Sequence, residues 1–407
     1  MRSYKNIPNE PKGTVLFVTK SGQREPSPLA HFAIFAKILI MKKFFVPSLM
    51  LVLLAGALHS CKSNADDFDG KVLYVPLLKD QKTELPTYDG YWTSVDTVVL
   101  ESSTTECLVD RISSARFTDK HIFISTMSSA LHIFDYQGNH IKKIQRSGRG
   151  RGEYDMLVHF DVQEEQQLIS IADGSNIMRI YNFNGDFIRQ FDLKNNINDF
   201  VVLSNGHYIF LNIDDEMNGI RGLYETDEKG NILRYFYELP DYYWHISRSY
   251  PYLIHLSQDV ISCYGLEDTD LIYHFENNEL TPLYKFKTDI EMPMEILKDD
   301  GRWTHPDKEY CKAGFFESDR ILGFTVTNFD DFVQVMYDKQ EDKLYRMYRD
   351  DLMNHPEYIQ NPTSFQYSGY GRMGFHYDPE VILDIPEFKA AFPYVTLDSN
   401  PIFVIWH

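Results

Sequence analysis

The stretch LHIFDYQGNHIKKIQRSGRGRGEYDMLVHFD (residues 131–161) holds the end of one repeat, a glycine-rich connector and the start of the next. Apolar residues alternate up to Phe134, Gln137-Gly138-Asn139 marks a turn, and alternation resumes through Ile141 and Ile144, which is the pattern of a β-hairpin. The hairpin recurs in IYNFNGDFIRQF (180–191), turning at Gly185, and in LYETDEKGNILRYF (223–236), turning at Gly230. From Gly138 to Gly185 is 47 residues and from Gly185 to Gly230 is 45. A four-stranded propeller blade takes roughly 40–50 residues.

Each hairpin is preceded by two further strand-like runs: 112–115 and 121–125, then 157–160 and 168–172, then 197–200 and 208–211. Ala115 to Phe123, Phe160 to Leu168 and Phe200 to Tyr208 are equal offsets of eight residues. Two looser repeats follow at 259–286 and 320–345, with an insertion rich in Pro and charge at 292–310 between them. A second insertion, 354–379, carries Pro356, Pro362, Gly369, Gly371 and Gly374 among many aromatics, and the chain ends in a strand. Aromatics make up 14% of the chain, with 27 Tyr and 28 Phe, which suits pleated faces. Five units and an incomplete last one predict an all-β, six-bladed β-propeller over residues 71–407. A ring must leave no bare edge, so the N-terminal strand at 94–101 and the C-terminal strand at 402–406 are expected to pair and close it.

Met41-Lys42-Lys43, then an apolar run over 44–58, then His59-Ser60-Cys61, is the layout of a secretory signal. Residues 1–40 are read as a mis-called N-terminal extension, 41–60 as the signal peptide and 61–70 as an acidic tether. Leu58-His59-Ser60-Cys61 resembles a bacterial lipobox, which implies lipidation of Cys61 and an outer-membrane address in the cell envelope. Without residues 1–60 the chain carries 32 Lys/Arg against 57 Asp/Glu, a net charge of −25. That field opposes nucleic acid as a partner. Cys107, Cys263 and Cys311 are then an odd count with no CxxC, so they predict buried thiols rather than a disulfide framework or zinc site.

The Phe134-Asp135…Gly138…Ile141 hairpin, the Gly148-Arg-Gly-Arg-Gly152-Glu153-Tyr154 connector, the opening of the second repeat and the Asn400-Pro401-Ile-Phe-Val-Ile ending belong together. In combination they resemble the six-bladed β-propeller lipoproteins of Bacteroides-type bacteria, relatives of NHL-repeat propellers. The family's connector usually reads GxGPGEY, and Arg151 stands here in place of the proline. The resemblance implies a fold and an envelope address. It implies no chemistry.

First strands line the channel of a propeller, so Ser113, Ser114, His159, Asp161, Asn198 and Asp199 are the candidate channel residues. His159 with Asp199 fits a metal site or an acid–base pair, and fits equally the polar lining of a water-filled tunnel. Arg149 and Arg151 among glycines fit anion binding by backbone N–H groups, set against a plain blade-to-blade crossing. Trp244, Tyr367 and Tyr370 are candidate stacking rings on exposed loops, set against packing of the insertions on the propeller face. No GxSxG or HExxH occurs, and neither a cofactor nor a bound metal is expected. The leading expectation is a lipid-anchored, non-enzymatic recognition module for a glycan, peptide or envelope protein. The alternative is a channel-site hydrolase or lyase built on His159, Asp161 and Asp199.

Overall fold

β1 (Lys71–Val75) and β2 (Val95–Val99) come first in the chain but join late blades. Blade 1 is β3 (Ile112–Phe117), β4 (His121–Thr126), β5 (Leu131–Asp135) and β6 (His140–Ile144). Blade 2 is β7 (Leu157–Gln163), β8 (Leu168–Asp173), β9 (Ile177–Asn182) and β10 (Phe187–Asp192). Blade 3 is β11 (Asp199–Val202), β12 (Tyr208–Asn212), β13 (Gly222–Thr226) and β14 (Ile232–Glu238). Blade 4 is β15 (Leu253–Ser257), β16 (Val260–Tyr264), β17 (Leu271–Glu276) and β18 (Glu279–Thr288), with β1 as a fifth strand. Blade 5 is β19 (Cys311–Glu317), β20 (Ile321–Thr327), β21 (Phe332–Asp338) and β22 (Lys343–Tyr348). Blade 6 is β23 (Tyr367–Gly369), β24 (Arg372–Tyr377) and β25 (Ile402–Trp406), completed by β2, with two short helices, α1 (Pro379–Asp384) and α2 (Pro386–Ala391), between β24 and β25.

This computed structural model describes residues 68–76, 93–194, 197–213, 221–239, 252–264, 271–289, 311–327, 332–348 and 367–407. They fall within the compact unit Ser63–His407. Cys61, Trp244, the insertion at 292–310 and the part of the second insertion before 367 lie outside the described residues.

Two sequence patterns sort the strands by position. β4, with Ile122-Phe123-Ile124 at its centre, and β12, apolar up to Asn212, are buried on both faces, because a neighbouring blade covers each side. β10 and β14 alternate, with every second side chain exposed, as outermost strands do. The core is therefore a series of interfaces between blades. Phe123, Ile133, Phe160 and Val162 join blades 1 and 2; Phe200, Phe210, Ile180 and Tyr224 join blades 2 and 3. Val98, Phe117, Ile122 and Phe403 join blades 6 and 1.

The recurring turn has a local cause. Asp135 Oδ1 accepts the N–H groups of Gln137 (2.9 Å) and Asn139 (2.8 Å), and Asp227 Oδ1 accepts those of Lys229 (2.9 Å) and Asn231 (2.8 Å). The side chain thus holds the reversal while Gly138 and Gly230 supply φ of 83° and 79°.

Closure follows the expectation. β2 pairs antiparallel with β25, from Val95 opposite Trp406 to Val99 opposite Ile402. Trp406, Phe403 and Ile405 are buried, and each such side chain contributes about 1.5–3 kcal/mol by leaving water. Two readings are corrected. The end of the second insertion is not an excursion but β23 and β24 of blade 6. The looser repeats begin one strand earlier than their apolar runs suggested, at β15 and β19. β1, to which the sequence assigns no partner, pairs parallel with β18 on the rim of blade 4. Cys107 and Cys263 are buried free thiols, as the odd cysteine count implied.

Candidate functional site

Five blades send polar groups into the channel. Asp161 from β7 is fully buried, and its Oδ2 accepts the Val202 N–H at 2.7 Å and lies 2.9 Å from Nε2 of His255, on β15. Asp199, at the start of β11, accepts the N–H groups of Phe200 (2.9 Å), Tyr252 (2.9 Å) and Leu253 (3.0 Å). Between the carboxylates stands the Arg116 guanidinium from β3, with Nε 3.9 Å from Asp161 Oδ1 and Nη2 3.9 Å from Asp199 Oδ1. It lies 5.8 Å from the centre of the Phe160 ring.

The backbone donors explain how two carboxylates persist out of water. Each amide N–H replaces a lost water contact and favours the charged oxygen. One acceptor is left over: Asp161 Oδ1 is buried with no hydrogen-bond partner among the described residues. Arg116 stands beyond the 2.7–3.2 Å or so of a direct bond.

Tyr370 covers this group at the end of the channel where the first strands finish. Its ring stacks on His255 with centroids 4.7 Å apart and planes at 15°. Its hydroxyl lies 3.0 Å from Val162 O and 3.2 Å from Gln258 Oε1, and its N–H donates to His255 O at 2.5 Å. One side chain of blade 6 thus touches blades 2 and 4. Beside it, Gln163 Nε2 donates to Leu203 O (2.7 Å) and Gln258 Nε2 to Val202 O (3.0 Å), tying the same end together.

The expected residues are thereby sorted. His159, Asp161 and Asp199 come together in the channel. Burial, then the Arg116 cation, push the His159 imidazole below its ordinary pKa, and Asp199 pulls the other way. Tyr370 belongs to the same group: it sits at a turn, as expected, but half-buried with its ring against His255 rather than exposed. Tyr367 is corrected further. It is buried, packs edge-on to Phe117 at 6.1 Å, and its hydroxyl lies 2.9 Å from His376 Nδ1, so no face is free to stack on a ligand.

Arg149 and Arg151 lie apart from the channel, on the connector. Arg149 Nε reaches Asp155 at 3.0 Å and Arg151 lies over Phe187 at 5.7 Å. The Gly150 N–H goes to Glu153 Oε2 at 2.9 Å, and a side chain on Gly148 would meet that carboxylate at 2.1 Å. The anion at this glycine-rich bend is the chain's own Glu153.

Arg116 and His255 were not among the expected residues. The first strand of blade 1 reads as ending at Ala115, two residues short of Phe117, and so leaves out Arg116. The first strand of blade 4, LIHLS, precedes the run at 259–264 with which that repeat begins in the sequence. Among the described residues no group of three or more His, Cys, Asp or Glu could hold a metal ion. The His255–Asp161 pair has the form of an acid–base dyad, but the Tyr370 ring lies flat on the imidazole.

A family model described as "Domain of unknown function (DUF4934)" matches residues 75–407. No curated protein matches by sequence. A Bacteroides fragilis protein whose name describes it as exported aligns with a TM-score of 0.65 at 15% identity, covering 83% of this chain and 99% of that one. A member of the DUF4221 family from Bacteroides vulgatus aligns at 0.47 and 10% identity, over 77% and 96%. At 15% identity the likeness to the first concerns the fold alone.

Proposed function

The chain belongs to the DUF4934 family, whose model spans all six blades, and we propose that it is a non-enzymatic recognition module, held at the cell envelope by lipidated Cys61, with its ligand site in the channel. The observation that carries the reading is the group formed by Arg116, Asp161, Asp199, His255 and Tyr370. Polar side chains from five blades converge there, and one buried carboxylate oxygen has no hydrogen-bond partner among the described residues. Buried polar groups are nearly always paired, so an unpaired acceptor in a channel marks a place for a donor. A rigid ring with site residues on its first strands is how one fold serves many ligands.

Two measurements test the reading. Cys61→Ala should move the protein from the membrane fraction to the soluble fraction, or leave it unprocessed, and unchanged fractionation removes the anchor from the proposal. The immobilised full chain should retain one class among neutral glycans, peptides and envelope proteins, and Arg116→Ala should reduce that retention. A chain that retains none of the three is not a recognition module. A second reading, acid–base catalysis by His255 and Asp161, is favoured by their 2.9 Å contact. It predicts product formation from a retained ligand.

A further inference from the structure

Resting on the recognition reading, we propose that the Arg116 guanidinium, flanked by Asp161 and Asp199, takes two adjacent hydroxyls of a neutral sugar, and that Tyr370 is the ring that lifts to admit them. Nε and Nη2 lie on one edge of the planar guanidinium and point two N–H groups the same way. Each stands 3.9 Å from a different carboxylate oxygen, Asp161 Oδ1 and Asp199 Oδ1. Direct bonds are about 2.9 Å long, so a nitrogen and an oxygen at this separation can both be reached by one intervening oxygen. That oxygen must accept from Arg116 and donate to a carboxylate, and a hydroxyl does both. Two hydroxyls on neighbouring carbons match the two positions along the edge.

The charges narrow the class. Two carboxylates against one guanidinium repel an anion that would otherwise suit the fork, and the guanidinium in the middle repels a cation. A neutral group with donors and acceptors side by side remains. Asp161 Oδ1 is the acceptor it completes, since Oδ2 already has Val202 N–H and His255.

That oxygen is sealed from solvent, so a ligand reaches it when a cover moves. Tyr370 sits at the tip of a hairpin with φ of 54°, between Gly369 and Gly371. A tyrosine held there costs roughly 1–2 kcal/mol against an ordinary backbone. Gly371 is explained by its φ of 71°, whereas Gly369 has no positive φ and nothing within 4 Å of the place a Cβ would occupy. The closed conformation does not require glycine at 369. A hinge does.

Calorimetry on the full chain with methyl α-mannoside, methyl β-galactoside and sodium glucuronate tests the proposal. Tyr370→Ala is expected to bind a neutral glycoside several-fold more tightly than the parent, where a stacking role for Tyr370 predicts weaker binding. Arg116→Lys keeps the charge and loses the fork, and should cost roughly tenfold or more in affinity. The deoxy glycoside lacking one hydroxyl of the pair should bind the unaltered chain comparably more weakly, a comparison that needs no variant to fold. The proposal falls if neither the parent nor Tyr370→Ala binds a neutral glycoside, if glucuronate binds more tightly than the glycosides, or if Arg116→Lys leaves glycoside affinity unchanged. A peptide or protein bound by the parent with indifference to Arg116→Lys would overturn this site while leaving a recognition module standing.

Discussion

His132 lies in β5 with its ring stacked on Phe134 and 5.5 Å from the ring of His140, and its Nδ1 has no hydrogen-bond partner among the described residues. Burial, then the nearby Lys143 and His140, push its pKa down to about 4. The unfolded chain takes up this proton near pH 6.5, whereas the folded chain refuses it until about pH 4. Stability is therefore unaffected above pH 7 and is lost as the pH falls through that window. The loss is on the order of 3 kcal/mol at most from this residue. His140, also pushed down by burial, acts in the same direction. His132→Phe keeps the stacked ring and should flatten the acid limb of a plot of melting temperature against pH. A limb as steep as that of the parent would show that the acid sensitivity arises elsewhere.

Between elements, the joint of β2 with β25 depends on a side chain outside both. Asn400 Oδ1 accepts the Val109 N–H at 2.7 Å, and its Nδ2 donates to Cys107 O at 2.8 Å and Glu101 O at 2.5 Å. Asn400→Ala leaves these groups unpaired in a buried place and should cost about 2–4 kcal/mol in denaturant unfolding. Asn400→Asp should cost at least as much, because it turns an oxygen toward two carbonyls. A cost under ~1 kcal/mol for either variant would mean the closure does not rest on this residue. The hairpins, by contrast, were legible because Asp135 with Gly138 and Asp227 with Gly230 form their turns locally, within five residues of sequence. β1 was not legible as part of blade 4. A parallel pairing across some two hundred residues has no turn to fix its register and leaves no mark near Lys71 beyond a short alternation.

The ring as a whole was readable from its period, and the channel only in part. His159, Asp161 and Asp199 stood out because polar residues interrupted otherwise apolar first strands. Arg116 was hidden at the end of its strand, His255 in a run too short to register, and Tyr370 in sequence with the composition of a loop. Which first strands face one another is decided by six interfaces acting together, and no single repeat contains that information. The rim strand has a mechanical consequence. β1 lies alongside β18 over five residue pairs, buries Leu73 and Val75, and is fastened to blade 5 by Lys71 with Asp342 and Arg346 with Pro76 O. A pull on the chain ahead of Lys71 meets this strip before it reaches β2. The strip works as a breakaway fitting: it can peel and lengthen the chain by about 3.5 Å per freed residue while the ring stays shut. Force spectroscopy through the N-terminus should record a small early extension ahead of the main rupture. Rupture in one step would mean that the strip and the ring yield together.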